Sequence, residues 1–172
     1  MHRGRQVSQQ RGLDTVSSSP VRCIWLEQTP RPIPRELDRG EIYTIMDHYA
    51  LIAAHAKCNG YDMVKIHGGH GYLVNSFMSP YLNKRTDEFG GNIENRMRFP
   101  LELIRRIKKD VGDEFPIGFR LSGDEFIEGG ATIDESPIMG RMLEEAGAAY
   151  IHVSAGLHEA SHQVSDIMRY VL

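Results

Sequence analysis

Two imidazoles and a phenol lie close together in His67-Gly-Gly-His70-Gly-Tyr72, directly after the apolar run Met63-Val64-Lys65-Ile66. Such a run predicts a strand. The three side chains therefore fall at a strand's C-terminal end, on a backbone loosened by three glycines. In barrels of parallel strands, active sites occupy that end. The chemistry on offer is specific. Two imidazoles can donate hydrogen bonds to a carbonyl oxygen, and a phenol, which keeps its proton at neutral pH, can deliver that proton nearby. This arrangement suits the reduction of an activated double bond. Two other readings share the pattern. His67 and His70 could be metal ligands, since imidazole is a common one, although no third ligand accompanies them and no metal is expected. They could also be polar residues that cap a glycine-rich loop. Tyr72 taken alone reads equally as a packed aromatic with a satisfied hydroxyl.

The elements that must position these groups are legible around them. Asp38-Arg-Gly-Glu41 resembles a capping box with Asp in place of Ser or Thr. Ile42, Ile45, Met46, Tyr49, Ile52, Ala53 and Ala56 then recur at helical spacing, and Asn59-Gly60 closes the helix. A strand over residues 62–67 follows. Residues 68–91 carry few regular signals, and loops of that length inside compact domains are usually functional. A helix is predicted over about 93–111, ended by Gly112, with Pro100 expected to kink or split it. Residues 116–122 read as a second strand bearing Arg120, and a buried arginine there needs an anionic partner such as a barrel carboxylate. Thr132-Ile-Asp-Glu135 reads as a capping box opening a helix that Gly147 closes. Residues 150–154 form the third strand, and a last helical stretch is expected from about His158. Residues 1–34, rich in Ser, Gln, Arg and Pro, read as irregular. Strands alternating with helices imply an α/β fold with a parallel sheet. Three strands make an arc with two open edges.

Composition narrows the function. The net charge is −3, which makes no electrostatic case for nucleic acid or an anionic membrane as partner. No apolar run approaches the roughly 20 residues of a membrane span, and the N-terminus lacks the apolar stretch of a signal peptide. Two cysteines, Cys23 and Cys58, without a CxxC, point to a reducing compartment, so a cytoplasmic location is expected. A length of 172 residues suffices for one core but falls short of the about 250 typical of a TIM barrel.

Several motifs in order carry a family resemblance. The histidine segment with Leu73 is followed by Phe77-Met-Ser-Pro80, Asn83-Lys-Arg-Thr-Asp87-Glu-Phe-Gly-Gly91, Glu94-Asn-Arg96-Met-Arg98-Phe99, Arg120-Leu121-Ser122 and His152-Val-Ser-Ala-Gly156. Upstream stand His2-Arg-Gly-Arg5-Gln6, Ser18-Ser-Pro20 and Pro34-Arg35-Glu36-Leu37. Together they resemble the old yellow enzyme family of FMN-dependent NAD(P)H oxidoreductases, built on a TIM barrel. His158-Glu159-Ala160 resembles the branch with 2,4-dienoyl-CoA reductases and bile-acid flavin oxidoreductases.

The resemblance implies a partial TIM (β/α)8 barrel of about three strands, a single incomplete domain over residues 1–172. It implies FMN and NAD(P)H as cofactors. The implied substrate is a small α,β-unsaturated carbonyl compound or an enoyl or dienoyl thioester. It also implies roles: His67 and His70 hold the substrate's carbonyl oxygen, Tyr72 protonates the α-carbon, and Arg120 meets the flavin's pyrimidine edge. Arg85, Asp87, Glu94, Asn95 and Arg96 are expected to form a structural network around the long loop. Lys65 departs from the acid usual at its position. The family's first strands would precede Met1 and its phosphate-holding glycine-rich segments would follow Leu172. The alternative expectation is therefore a non-catalytic fragment or one piece of a split enzyme, binding FMN weakly or not at all alone and prone to self-association or to pairing with a complementary barrel chain.

Overall fold

The computed structural model describes residues 4–6, 14–24 and 32–160. Two short parallel strands come first, β1 (Val16–Ser17) and β2 (Arg35–Glu36). Helix α1 (Arg39–Cys58) follows, then β3 (Val64–Gly68), α2 (Leu73–Met78), α3 (Ile93–Val111), β4 (Ile117–Ser122), α4 (Ser136–Glu145) and β5 (Tyr150–Ser154). A turn of 3-10 helix spans His158–Ala160. The strands β3, β4 and β5 form a parallel sheet in that order.

The register sorts the strand residues onto two faces. Ile66, Phe119 and Ile151 are neighbours across the sheet and pack into the apolar core with Ile117 and Leu121. That core is filled from α1 by Ile42, Met46, Ala50 and Ala53, and from α3 by Leu103, Ile104, Ile107 and Val111. The other parity is polar: His67, Arg120 and His152 stand in one row. Period-two alternation thus sends the helices to one side and the chemistry to the other. Glycine at 68 is required sterically, because a β-carbon there would collide with the Phe119 ring. No described helix is long and apolar enough to cross a membrane.

The capping box at α1 is present in both halves. Glu41 N–H donates to Asp38 Oδ1 at 2.8 Å, and Asp38 N–H donates to Glu41 Oε2 at 2.9 Å. Several expectations are corrected. Residues 1–34 are not irregular throughout, since β1 lies among them, Gly4 bridges to Val16 and Arg5 is fully buried. The long loop contains α2, a six-residue helix whose residues after Leu73 are all buried; burial stabilises it where no cap does. Pro100 does not split α3, which runs continuously through it. Buried residues on both sides of Pro100 hold the helix to the core and offset the roughly 3 kcal/mol a helical proline costs. The Thr132 box does not cap α4. The helix starts at Ser136, and Glu135 instead places its carboxylate 2.8 Å from Arg96 Nη2. The helix expected from about His158 is a single 3-10 turn to Ala160, and its continuation lies outside the described residues.

Arg85, Asp87 and Arg96 form the expected framework. Arg85 pairs with Asp87 at 2.6 Å and donates to the carbonyls of Ser18 (3.1 Å) and Leu37 (2.7 Å), while Arg96 donates to that of Met78 at 2.7 Å. Asn95 accepts from Arg98, and Glu94 sits exposed in the first turn of α3.

Candidate active site

The site forms where β3, β4 and β5 end. His67 is the penultimate residue of β3. The chain then turns sharply: His70 has φ 58° and Gly71 φ 77°. A left-handed conformation is uncommon for a residue with a side chain, so it must be held in place. The His70 N–H donates to Ser122 Oγ at 3.1 Å, and its carbonyl accepts from Gln6 Nε2 at 2.7 Å. Gly71 N–H donates to Asn75 Oδ1 at 2.6 Å, and a β-carbon at Gly71 would press against Arg5 and Gln6.

This turn folds the three predicted side chains together. The His67 and His70 rings meet edge-on at 5.3 Å between centroids, and Tyr72 is tilted against His67 at 4.7 Å. Arg120 sits beside His67 in the register, and its Nη2 donates to Ser154 Oγ at 3.0 Å. The same oxygen lies 2.7 Å from His70 Nε2. All four predicted residues are thus in one constellation, Arg120 joining through Ser154. Lys65, two residues before His67 on the same strand, lies with Nζ 3.2 Å from His152 Nδ1.

Burial and the adjacent Arg120 charge push the His67 pKa below its ordinary value, and the same causes push His70 down to about 4. Both imidazoles are therefore neutral at pH 7, each with one N–H and one lone pair. His67 Nδ1 accepts from Gly69 N–H at 3.3 Å, which assigns its proton to Nε2. Arg120 Nε is buried with no hydrogen-bond partner, and among the described residues no carboxylate pairs with the guanidinium. The carboxylate partner considered for Arg120 is thus not found among them.

Sequence reasoning missed three contributors. His158 stands edge-on to Tyr72 at 5.2 Å and near His70 at 6.3 Å between centroids. Ser122 and Ser154 supply the hydroxyls that hold His70. All three lie at or just past strand C-termini, so the rule that singled out His67 could have found them. Arg5 is also part of the framework, forming a buried ion pair with Glu159 and donating to the Val21 and Arg22 carbonyls at 3.1 and 2.7 Å. No local signal marks that pairing.

Residues 1–170 match the family model described as the NADH:flavin oxidoreductase / NADH oxidase family. An NADH oxidase of Thermoanaerobacter brockii is 46% identical over 171 residues, covering 98% of this chain and 26% of that protein. Among solved structures, a 2-naphthoyl-CoA reductase in complex with 2-naphthoyl-CoA superposes with TM-score 0.83 at 30% identity, covering 92% of this chain and 26% of that one. An old yellow enzyme homologue from Zymomonas mobilis superposes with TM-score 0.78 at 31% identity, covering 88% of this chain and 45% of that one. The chain spans between about a quarter and a half of the length of these relatives.

Proposed function

The chain belongs to the NADH:flavin oxidoreductase / NADH oxidase family, and from that premise we propose that it carries the substrate-oxygen and proton-donor part of an ene-reductase site, acting on the C=C bond of α,β-unsaturated carbonyl compounds or enoyl thioesters. FMN is the family's cofactor and NAD(P)H its electron donor. The three parallel strands with their helices are an arc of the TIM barrel on which these enzymes are built.

The residues present fit such a flavin. A guanidinium with a buried Nε–H that nothing satisfies offers a charged donor to an anionic ring edge. Arg120 would hold that edge. When bound, FMN supplies hydride to the substrate's β-carbon.

The protein's own groups then do three things. His67 presents Nε2–H, and with His70 it binds the carbonyl oxygen and stabilises the negative charge that grows there. Neutral imidazoles suit this role, since each keeps an N–H to donate without surrendering a full proton. Tyr72, tilted against His67, gives its phenolic proton to the α-carbon. The observation that carries the reading is the convergence of two neutral imidazoles and a phenol at the strand ends, beside an arginine with an unsatisfied donor.

The test separates the two half-reactions in flavin-loaded protein by stopped flow. Tyr72→Phe keeps the ring and removes the donor. Oxidation of the reduced flavin by an enone should slow by about 10²–10⁴-fold, the usual worth of general-acid catalysis, while flavin reduction by NAD(P)H stays near wild type. Equal slowing of both halves would make Tyr72 a residue that shapes the pocket. A second reading, supported by coverage of 26% of the NADH oxidase, is that the site turns over only within a barrel completed by further strands. Turnover restored only on adding complementary barrel strands would favour it.

A further inference from the structure

We propose that Ser154 is a positioning residue that ties Arg120 to His70 and sets His70 as the tautomer protonated on Nδ1. Ser154 ends β5, where it stands in register with Ser122, and its carbonyl accepts from Gly123 N–H at 2.7 Å, so its backbone is fixed. Its hydroxyl has one proton and two lone pairs. Arg120 Nη2, 3.0 Å away, can only donate, so it occupies one lone pair. His70 Nε2, 2.7 Å away, is the other polar neighbour. If Nε2–H also donated, the proton of this half-buried serine would have no acceptor among the described residues, and a partly buried donor left unmet costs stability. If the serine donates, its proton meets the Nε2 lone pair 2.7 Å away. Polarisation of the hydroxyl by the guanidinium favours the same direction.

His70 then carries its proton on Nδ1 and His67 on Nε2, so the two neighbouring imidazoles hold opposite tautomers. The charged groups facing His70 agree with a neutral ring: Arg120 on β4, with His67 on β3, His152 on β5 and His158 beyond it as further potential cations. The functional consequence rests on the reading above. The arginine proposed to meet the flavin and the imidazole proposed to hold the substrate oxygen share one hydroxyl, so occupancy at one is felt at the other. The tautomer itself is a property of the chain without ligand.

The experiment is therefore run on ligand-free protein labelled with 15N-histidine, read in long-range proton–nitrogen spectra at pH 7. For His70 the expected pattern is a protonated, pyrrole-type Nδ1 and an unprotonated Nε2. In Ser154→Ala the unprotonated signal should move wholly or partly to Nδ1, and His70 should take up its second proton at higher pH. Ser154→Thr restores the hydroxyl and should restore both properties, which a purely structural defect would not do. His70 protonated on Nε2 in the wild type overturns the proposal without any variant. So does an unchanged tautomer in a folded Ser154→Ala protein. Neither result depends on the Tyr72→Phe half-reactions, so failure here and failure of the ene-reductase reading are distinguishable.

Discussion

His70 concentrates the site's pH behaviour in one ring. Burial and the Arg120 charge hold its pKa at about 4, against an ordinary value of 6.5. Between those values the unfolded chain binds more protons than the folded one, so stability rises with pH across that window. Conversely, stability falls as pH drops from about 6.5 towards about 4. Below that, both states are protonated and this residue adds no further slope. His67 is shifted in the same direction. Thermal melts of the wild type should therefore lose Tm steadily through this range. His70→Asn keeps a residue that tolerates the left-handed backbone and should melt with a shallower slope. Parallel slopes for the two proteins would remove His70 as the source. At the same scale, His67→Ala and His70→Ala should each weaken a phenol or carbonyl ligand in flavin-loaded protein, measured by titration.

At the scale of elements, α2 is held less by propensity than by a buried polar chain. Glu125 Oε1 accepts from Asn75 Nδ2 at 3.0 Å, and its Oε2 accepts from Ser79 Oγ at 2.6 Å and Ala131 N–H at 2.9 Å. Asn75 in turn accepts from Gly71 N–H. Burial pushes the Glu125 pKa up, opposed by those three donors. The loop after β4 is thereby connected to the turn that aims Tyr72. Asn75→Ala leaves an N–H and a carboxylate oxygen without that partner. The expected loss is about 1–3 kcal/mol for each buried group left unpaired, measured by urea unfolding, with shifted amide resonances at Gly71 and Tyr72. A loss below 0.5 kcal/mol on the scale of ordinary surface changes (about ±0.5) would mean that water or rearrangement satisfies these groups.

Across the whole molecule, two features stand out. Arg5, fully buried, pairs with the nearly buried Glu159 across the length of the described chain. Removing one partner strands the other charge, so Arg5→Met should cost about 3–5 kcal/mol. The double change Arg5→Met with Glu159→Met should recover much of it, because the desolvation penalty goes with the pair. Non-recovery would show that the arginine's bonds to the Val21 and Arg22 carbonyls dominate. The second feature is exposed apolar surface at the edges. Val153 is 66% and Ile52 59% exposed, and an open trough of about 1190 Å³ runs along β3 and α1 past Ile45, Tyr49 and Leu73 to His67. Open edges beside apolar surface favour pairing with another chain. A polypeptide of these 172 residues should therefore sediment as more than a monomer. A monomeric species with one cooperative melt would contradict this.

What the amino-acid sequence determined by itself was local. Apolar runs placed β4 and β5 to within a residue, and the Asp38–Glu41 box placed α1, because caps and periodicities are decided by neighbours one or two turns apart. His67, His70 and Tyr72 were legible as a group because their spacing and their place after a strand put them at the catalytic end of a parallel sheet. The tertiary structure alone decided partners. Thr132 and Glu135 have capping-box spacing, yet Glu135 turns to Arg96 from another helix. Five residues of α2 are buried in a segment with no helix signal. Arg120 met a serine rather than a carboxylate, and that serine also meets His70. A long or buried polar side chain takes whichever partner the packed chain brings within about 3 Å. That distance is set by the register of β3, β4 and β5, which no local pattern encodes.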